Sequence, residues 1–418
     1  MMRALSPSNL MLICWGATIA IAGITLGNLK HFDLVALFMA RENLDLTAFT
    51  LIGGIWITLS MLVYLIGDMA ARASLKNAHT FMTNFDLERA AATVFGINLI
   101  LITITCLWII LSAAKLGGLM NLVAMAYVDS TGARDILLGN KLFTGMRLFY
   151  AALPATGFLA ATILTMKIYQ PLSRKAQFFC ITTLSINVVA LFILPMVMSQ
   201  RLLLFQLLLS SYLVTCLLRR RVTGIAWLGL ATVLFLTAWV LRESVTNALI
   251  ERPILDIGMQ KLAFYYVNDL WNGFAPLHIE IPHTLGGVSL RGFMFLTFID
   301  GLFGQILEPK MARLDSVLGG GDFPFFTAAY VDFGPLLGAL FIATCAFIFR
   351  TIFVKAHQSL VWACAYAQLG AALLFSTHGI YFTHQNFLFS IAIIGLVWLL
   401  VRGVSSQPTT YTMRSSNA

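Results

Sequence analysis

The sequence predicts an all-α, polytopic integral membrane protein, and two observations carry that prediction. Of the 418 residues, 59% are hydrophobic and only 11% are charged, whereas a soluble globular protein has roughly 45–50% and about 25%. Uncharged apolar runs of about 18 residues or more, long enough to cross a bilayer core, recur along the whole chain. This composition leaves too little polar surface for a water-soluble globule, so that class is excluded.

Ten segments are predicted to be membrane-spanning helices in windows of about 19 residues. They cover residues 9–28, 48–67, 91–113, 146–166, 177–198, 202–218, 222–241, 326–349, 359–377 and 385–401. The chain therefore divides into seven helices over 1–241, a large loop over 242–325, three helices over 326–404 and a tail over 405–418.

The net charge of +9 becomes informative once it is divided between the two sides of the membrane. If the N-terminus is cytoplasmic, the inner segments hold 14 positive and three negative charges, and the outer segments hold the remaining 13 and 15. This excess of inner positive charge is the one expected for ten helices with both termini in the cytoplasm. The charge thus predicts orientation rather than a nucleic-acid partner, and it places the loop 242–325 outside.

Two segments of this outer loop are predicted to lie at the membrane surface. Residues 253–270 have apolar side chains at helical spacing with polar ones between them, which is typical of an amphipathic interfacial helix. Residues 293–307 are strongly apolar but too short to span, and Asp300 interrupts them, which favours a re-entrant or interfacial element.

The short inner loops exclude a pump or processive synthase fuelled by cytoplasmic nucleotides. They reach at most about 23 residues and contain no GxxxxGK[ST] loop, no GxGxxG after a strand and no DxD pair. All six cysteines fall within hydrophobic runs, so no disulfide framework or CxxC metal site is predicted. His278, Glu280 and His283 lack the helical pairing of a zinc site. We therefore predict no metal and no other cofactor.

Arg201 and Asp332 are the charged residues least easily explained as solvated surface. Arg201 lies in a connection of about three residues between two apolar helices. It is either a snorkelling side chain at the headgroups or a ligand for phosphate, which its forked donors suit. Asp332 either caps the helix that starts at Pro335 or belongs to a functional site. Asp322 is likewise a turn residue or a site residue.

Other polar residues of the outer loops are further candidates. Four arginines are suited to hold a lipid diphosphate near the membrane, namely Arg242, Arg252, Arg291 and Arg313. Glu280 and His283 are candidates for a general base or a sugar ligand. His378 and His384, on either side of the last outer loop, are interpreted as ordinary interface residues.

One segment resembles a known family. It runs Asp322-Phe-Pro-Phe-Phe-Thr-Ala-Ala-Tyr330-Val-Asp332-Phe-Gly334-Pro-Leu-Leu-Gly338 and opens a late transmembrane helix after a large outer loop. This pattern resembles the oligosaccharide repeat-unit polymerases of bacteria, the Wzy family of O-antigen and exopolysaccharide polymerases. Three further stretches are similar to that family: Ser199-x-Arg201 before the loop, Tyr265-Tyr266 to Asn272 early in it, and Arg291-Gly292-Phe293 in its middle.

The resemblance implies a glycosyltransferase of the bacterial inner membrane whose site faces the periplasm. Such an enzyme moves a growing glycan from undecaprenyl diphosphate to the nonreducing-end hydroxyl of a newly flipped lipid-linked repeat unit. The leaving diphosphate stores the energy, so no nucleotide is needed. The implied partners are undecaprenyl-diphosphate-linked oligosaccharides and membrane lipid, with a chain-length regulator and a flippase as candidate protein partners and no nucleic acid.

We expect the catalytic residues to be Arg201, Arg291 and Asp332. The two arginines, helped by Arg252, would neutralise the departing diphosphate, and Asp332 would orient or deprotonate the acceptor hydroxyl. Tyr330 would contact sugar or phosphate. The remaining expected substrate-binding residues are Tyr266, Asn272, His283 and Asp322.

Two rival functions stay open at this point. An O-antigen ligase shares the outer loop and the lipid diphosphate donor but delivers glycan to the lipid A core. A lipid-linked glycan transporter belongs to a different class and would line its cavity with several intramembrane charges. The predicted spans are almost free of charge, which favours an enzyme over a transporter.

Overall fold

The computed structural model describes most of the chain as helix. The described residues are 2–75, 80–83, 86–128, 130–139, 143, 146–194, 202–247, 250–277, 283–299, 301, 303–304, 306–307, 310, 322–402 and 409–412. Within them, one pair of four-residue strands, which the sequence did not predict, joins the helices.

The elements follow one another in this order: α1 (Pro7–Gly27), α2 (Asp33–Arg41), α3 (Leu51–Ser74), β1 (Thr80–Thr83), α4 (Leu87–Ala114), α5 (Leu119–Val128), α6 (Ser130–Gly139), α7 (Met146–Ala151), α8 (Leu153–Met166), α9 (Arg174–Ile193), α10 (Leu202–Arg219), α11 (Ile225–Thr246), α12 (Ile254–Phe274), α13 (Arg291–Leu296), α14 (Phe325–Ala356), α15 (Leu360–Leu373), α16 (Gln385–Arg402) and β2 (Thr409–Thr412). Short 3-10 turns lie at Met2–Leu5, Leu46–Ala48, Ala275–Leu277 and Tyr381–Thr383. The two strands pair antiparallel, with Thr80 opposite Thr412.

The prediction of a polytopic helical membrane protein is confirmed in its coarse form. Among the described residues, seven helices are long and apolar enough to cross a membrane: α1, α3, α4, the continuous stretch Met146–Met166, α9, α10 and α14. Shorter apolar stretches at Ala226–Leu241, Leu360–Leu373 and Gln385–Val401 coincide with the other three predicted spans. Large apolar side chains such as Ile24, Leu51 and Ile110 are more than half exposed, as lipid-facing positions are. The count of ten spans and their orientation stay predictions.

Two compact units make up the chain, and each is assembled from segments far apart in sequence. Unit 1 comprises Met1–Asn77, Met259–Lys355 and Leu369–Leu388, and unit 2 comprises Ala78–Gly258, Ala356–Gln368 and Phe389–Ala418. All candidate site residues of the late motif therefore belong to unit 1.

A buried ion pair lies inside the helical part of unit 1. Arg350 of α14 donates from Nε to Oδ1 of Asp68 in α3 at 2.8 Å, and Ser8 of α1 donates to Oδ2 of the same carboxylate at 3.1 Å. Both charged residues are less than a tenth exposed. Each charge neutralises the other, which a buried site requires, since a charge buried alone is costly.

Unit 2 has a buried polar cluster at a helix crossing. Thr156 of α8 donates to Oδ1 of Asn98 in α4 at 2.8 Å and accepts from Asn187 of α9 at 3.0 Å. Gly157 allows this approach, because a Cβ there would lie 2.9 Å from Leu207 and 3.1 Å from Asn187. The polar cluster and the small residue together set the packing of these helices.

The structure has a helix, α12, where residues 253–270 were predicted to form one, and its location at the membrane surface stays a prediction. The side-chain oxygen of Gln260 accepts from the backbone N–H of Leu34 at 3.0 Å. Trp271 Nε1 donates to the carbonyl of Asp45 at 2.8 Å. These two bonds hold α12 against the segment that joins α1 to α3.

The second surface element, predicted over residues 293–307, begins as the short helix α13. Phe293, Phe298 and Ile306 are 47%, 83% and 60% exposed. Such exposed apolar side chains suit a membrane interface, and the location itself stays a prediction.

Gly67→Ala is expected to destabilise the protein, because α3 and α14 touch at this glycine. A Cβ at Gly67 would clash with the carbonyl oxygen of Ala343 and lie 3.0 Å from its Cα, both backbone atoms that cannot rotate away. Overpacking of this kind costs about 1–3 kcal/mol. We expect a lower midpoint of thermal unfolding in detergent.

Gly23→Ala in α1 is the matched control, because a Cβ there meets nothing within 4 Å. Alanine is favoured over glycine in a helix by roughly 0.5–1 kcal/mol, so this variant should be as stable as the wild type or more stable. Equal unfolding midpoints for the two variants would contradict the close approach at Gly67.

Candidate functional site

Asp332 is buried in α14, and its carboxylate binds a loop that precedes it in the chain. The backbone N–H groups of Val288 and Ser289 donate to it at 3.0 and 2.7 Å, and the hydroxyl of Thr284 donates to Oδ1. The backbone N–H of Leu285 donates to the Asp332 carbonyl at 3.0 Å. Charge-assisted bonds are the strong ones, so Asp332 anchors the loop 283–290 to α14.

A break in α14 places Asp332 at this position. Gly334 has φ 72° and ψ −175°, a left-handed conformation inside the helix, and Pro335 follows it without an N–H. A Cβ at Gly338 would lie 2.7 Å from the Ala329 carbonyl oxygen. The glycines of the motif therefore have a physical role: they let the chain break and turn back against its own preceding turn.

Two other predicted residues, Tyr330 and His283, lie beside Asp332. The Tyr330 ring is edge-on to Trp56 at 5.2 Å and to His283 at 6.3 Å between centroids. The Nδ1 atom of His283 lies 3.2 Å from the Val331 carbonyl oxygen, and its own carbonyl accepts from Lys310 at 3.0 Å. The structure thus brings Asp332, Tyr330 and His283 together.

The environment of Asp332 argues against its expected role as a general base. A base must come within hydrogen-bond reach of the proton that it removes. Asp332 has no exposed surface, and three donors of the 283–290 loop already bind its carboxylate. The carboxylate accepts these bonds from the loop 283–290, so they do not cap the helix that begins at Pro335. The described contacts of Asp332 hold the loop 283–290 in position, and its catalytic role stays a prediction.

A second polar cluster forms where α12 meets the turn after α15. The Nδ1 atom of His378 lies 2.7 Å from Oδ1 of Asp269. Tyr381 stacks on the imidazole with the ring planes 4° apart and the centroids 6.0 Å apart, and Tyr265 lies 6.1 Å away on another side. The carboxylate, imidazole and phenols form one continuous group, which we call the dyad cluster: Asp269, His378, Tyr381, Tyr265 and Asp322.

Asp322 joins the dyad cluster through its contact with Gly379. A Cβ at Gly379 would lie 3.2 Å from Cβ and 3.5 Å from Oδ2 of Asp322. Asp322 itself is exposed. Asp322 thus lies beside Gly379, the residue that follows His378 in the chain.

Burial and neighbouring charge determine the protonation of this cluster. Burial raises the pKa of Asp269; the contact with His378 lowers it, and the charge of Asp322 raises it again. Burial also raises the pKa of Tyr381 well above its usual value, and the carboxylates of Asp322 and Asp269 add to that shift. Tyr381 therefore keeps its proton at neutral pH and is available to hydrogen-bond as a phenol.

Hydrogen bonds from two helices hold the turn that carries His378. Thr18 of α1 donates to Thr377 at 3.1 Å, and the thiol of Cys14 donates to the Leu374 carbonyl at 3.1 Å. The first N–H of α14, that of Phe325, donates to the Ser376 carbonyl at 2.8 Å. The imidazole is thus presented by a rigid turn rather than by a loose loop.

Arg291 is exposed at the start of α13, close to the last loop. At the next residue, Gly292, a Cβ would clash with the Thr383 carbonyl and lie 2.6 Å from the backbone nitrogen of Gln385. That loop also contains His384, whose ring is 5.8 Å from Tyr381. Gly292 therefore allows the Arg291 backbone to lie against the loop that carries His378 and Tyr381.

The other predicted site residues have different positions. Tyr266 is half-buried and Asn272 is buried, both on α12, and burial raises the pKa of Tyr266. Arg252 is exposed in unit 2, just before α12. Arg201 lies outside the described residues, as do three weaker candidates, His278, Glu280 and Arg313.

Asp269, His378 and Tyr381 are the residues that sequence reasoning missed. Asp269 is three residues after Tyr266 and three before Asn272, so helical spacing places it on their side of α12. That spacing was the available signal. His378 was interpreted as an interface residue, and its partner lies 109 residues away, a separation that local patterns do not reveal.

Among the described residues, no group of three or more His, Cys, Asp or Glu side chains could hold a metal ion. The dyad cluster has the chemistry of proton transfer and hydroxyl binding instead. A scan against family models found no match to the chain, and searches of curated proteins and of solved structures found none either.

Thr284→Val is expected to loosen the loop 283–290, because it removes the hydroxyl donor to the Asp332 carboxylate. A hydrogen bond to a charged group contributes about 1.5–3 kcal/mol. The amides of Val288 and Ser289 should then exchange with deuterium about 10- to 100-fold faster.

The matched control is Thr297→Val. Thr297 is exposed, and its hydroxyl donates to the carbonyls of Phe293 and Met294 in the preceding turn. Its removal should leave exchange at Val288 and Ser289 unchanged. Equal exchange in wild type and Thr284→Val would show that the Asp332 carboxylate does not hold the loop.

Proposed function

We propose that the protein is a membrane glycosyltransferase that polymerises undecaprenyl-diphosphate-linked oligosaccharide repeat units into O-antigen or a related surface polysaccharide. It would act at the periplasmic face of the bacterial inner membrane. The observation that carries the proposal is the convergence in unit 1 of two carboxylates, an imidazole and two phenols beside the helix of Arg291. These groups suit a substrate that combines sugar hydroxyls with a diphosphate.

The donor substrate needs a cationic site at the membrane surface. Arg291 is exposed at the start of α13, and the apolar side chains of Phe293 and Phe298 follow it. A guanidinium followed by apolar side chains fits a lipid diphosphate, whose charge lies at the headgroups while its polyprenyl chain stays in the bilayer. In this scheme Arg291 neutralises the leaving diphosphate.

The acceptor sugar is assigned to the dyad cluster. Asp322 is exposed and adjoins Gly379, where a carboxylate can accept hydrogen bonds from sugar hydroxyls. Tyr266 and Asn272 flank Asp269 on α12 and are assigned to the same acceptor-sugar site. An indirect role is proposed for Asp332, Tyr330 and His283. They hold the loop that leads into α13 and hence position Arg291.

The cell-surface glycan of a deletion strain discriminates between the proposed function and its rivals. Loss of a polymerase leaves lipid A core that carries a single repeat unit. Bare core would instead identify a ligase. Accumulation of unflipped repeat units on the cytoplasmic leaflet would identify a transporter. We expect the single-repeat product on a gel of lipopolysaccharide.

Arg291→Ala is expected to lower the polymerisation rate of the purified protein in vesicles by about 10²- to 10³-fold, because loss of one transition-state donor has effects of this size. The substrate is the lipid-linked repeat unit extracted from the deletion strain, and the readout is growth of the glycan beyond one unit. Arg291→Lys keeps the charge but not the fork, so it should retain intermediate activity.

Arg41→Ala is the matched control for this measurement. Arg41 is an exposed arginine at the end of α2, in unit 1 and in a predicted outer segment. Its removal changes the net charge by the same amount and should leave the rate unchanged. Equal losses in both variants would attribute the effect to overall charge and exclude a specific role for Arg291.

A further inference from the structure

The pair formed by Asp269 and His378 fixes the tautomer of the imidazole. With Asp269 ionised, its carboxylate can only accept a hydrogen bond, and the 2.7 Å contact then requires that Nδ1 of His378 carry the proton and donate it to Oδ1 of Asp269. The lone pair of the neutral ring is then on Nε2. A carboxylate that orients an imidazole also stabilises the imidazolium that forms when Nε2 takes a proton.

The two partners differ in their access to the exterior. The side chain of Asp269 is 10% exposed, whereas that of His378 is 23% exposed. The imidazole can therefore meet a substrate, and its supporting carboxylate lies behind it. Asp332, by contrast with His378, is completely buried.

The turn that carries His378 is held without help from the dyad. Three hydrogen bonds hold it: from Thr18 to Thr377, from Cys14 to the Leu374 carbonyl and from the Phe325 N–H to the Ser376 carbonyl. Burial of the Asp269 carboxylate opposes its ionisation, and the contact with His378 offsets part of that cost. Since the turn has its own hydrogen bonds, the contact is available to orient the imidazole.

From this geometry we propose that His378, oriented by Asp269, is the general base that removes the proton from the acceptor hydroxyl, and that Tyr381 and Asp322 complete the acceptor-sugar site. This inference rests on the glycosyl-transfer function proposed above. It assigns the base role to a partly exposed imidazole rather than to the buried carboxylate of Asp332. Tyr381 keeps the ring plane in place by stacking on it at 6.0 Å.

The transfer step balances without any further reactant. The acceptor oxygen bonds to the anomeric carbon of the donor glycan, and the bond from that carbon to the diphosphate oxygen breaks. The leaving undecaprenyl diphosphate keeps the electron pair. The hydroxyl proton moves to Nε2 of His378, the imidazolium pairs with Asp269, and the proton later passes to water. No atom is oxidised or reduced.

His378→Gln is expected to lower kcat about 10²- to 10⁴-fold, the usual contribution of a general base. The affinity for the lipid-linked donor should stay unchanged, because the diphosphate is held elsewhere. The matched control is His31→Gln, since His31 is exposed after α1 in the same unit and its loss should not affect kcat. Added imidazole should restore part of the activity of His378→Ala, which a misfolded variant would not allow.

The pH profile tests the role of Asp269. Three titratable groups contact His378 directly: Asp269 and Tyr265 on α12, and Tyr381 in the last loop. Three more lie next to those groups or to Gly379: Asp322 near Gly379, His384 beside Tyr381, and Cys14 near Asp269. Wild-type kcat should fall on acidification as the base is protonated. A neighbouring carboxylate favours the imidazolium, so Asp269→Asn should move the acid limb of the profile to lower pH in addition to lowering kcat.

Several outcomes would overturn the proposal. Full activity in His378→Gln, while Arg291→Ala is inactive, removes His378 from the mechanism and leaves the proposed function intact. Loss of activity without imidazole rescue, together with an unmoved acid limb in Asp269→Asn, makes the pair structural only. A wild-type protein that transfers no glycan overturns the proposed function and this inference together.

Discussion

The broken start of α14 is the constraint on which unit 1 depends. In a chain this apolar, each buried backbone group must find a partner within the protein. The first N–H of α14 binds the turn that carries His378, and Asp332, just before the break at Gly334, binds the loop that leads to α13. One short stretch of helix therefore positions both the imidazole and the helix that begins with Arg291.

Two contacts made by carboxylates in unit 1 differ in how far the partner side chain is exposed. The pair between Arg350 and Asp68 is sealed among three helices, where each charge compensates the other. The pair between Asp269 and His378 leaves the imidazole partly exposed while the carboxylate is covered. The first contact stabilises helix packing, and the second presents a titratable group at the surface.

Rare charges made the candidate residues easy to find. In a sequence with only 11% charged residues, Arg201, Arg291 and Asp332 stood out, and Arg201 lies outside the described residues. The contacts of Asp332, however, were not predictable. Its donors lie on Thr284, Val288 and Ser289, more than 40 residues earlier, and no local pattern indicates that a distant loop will enclose a carboxylate.

By itself, the sequence determined that the protein is helical and membrane-embedded, where its apolar helices run, and that residues 253–270 form a helix. These properties depend on composition and on periodicity within about 20 residues, which local sequence encodes directly. Only the tertiary structure decided that Asp269 meets His378 and that two units interleave along the chain. Those contacts join segments about 100 residues or more apart, and packing selects them after the local helices are defined.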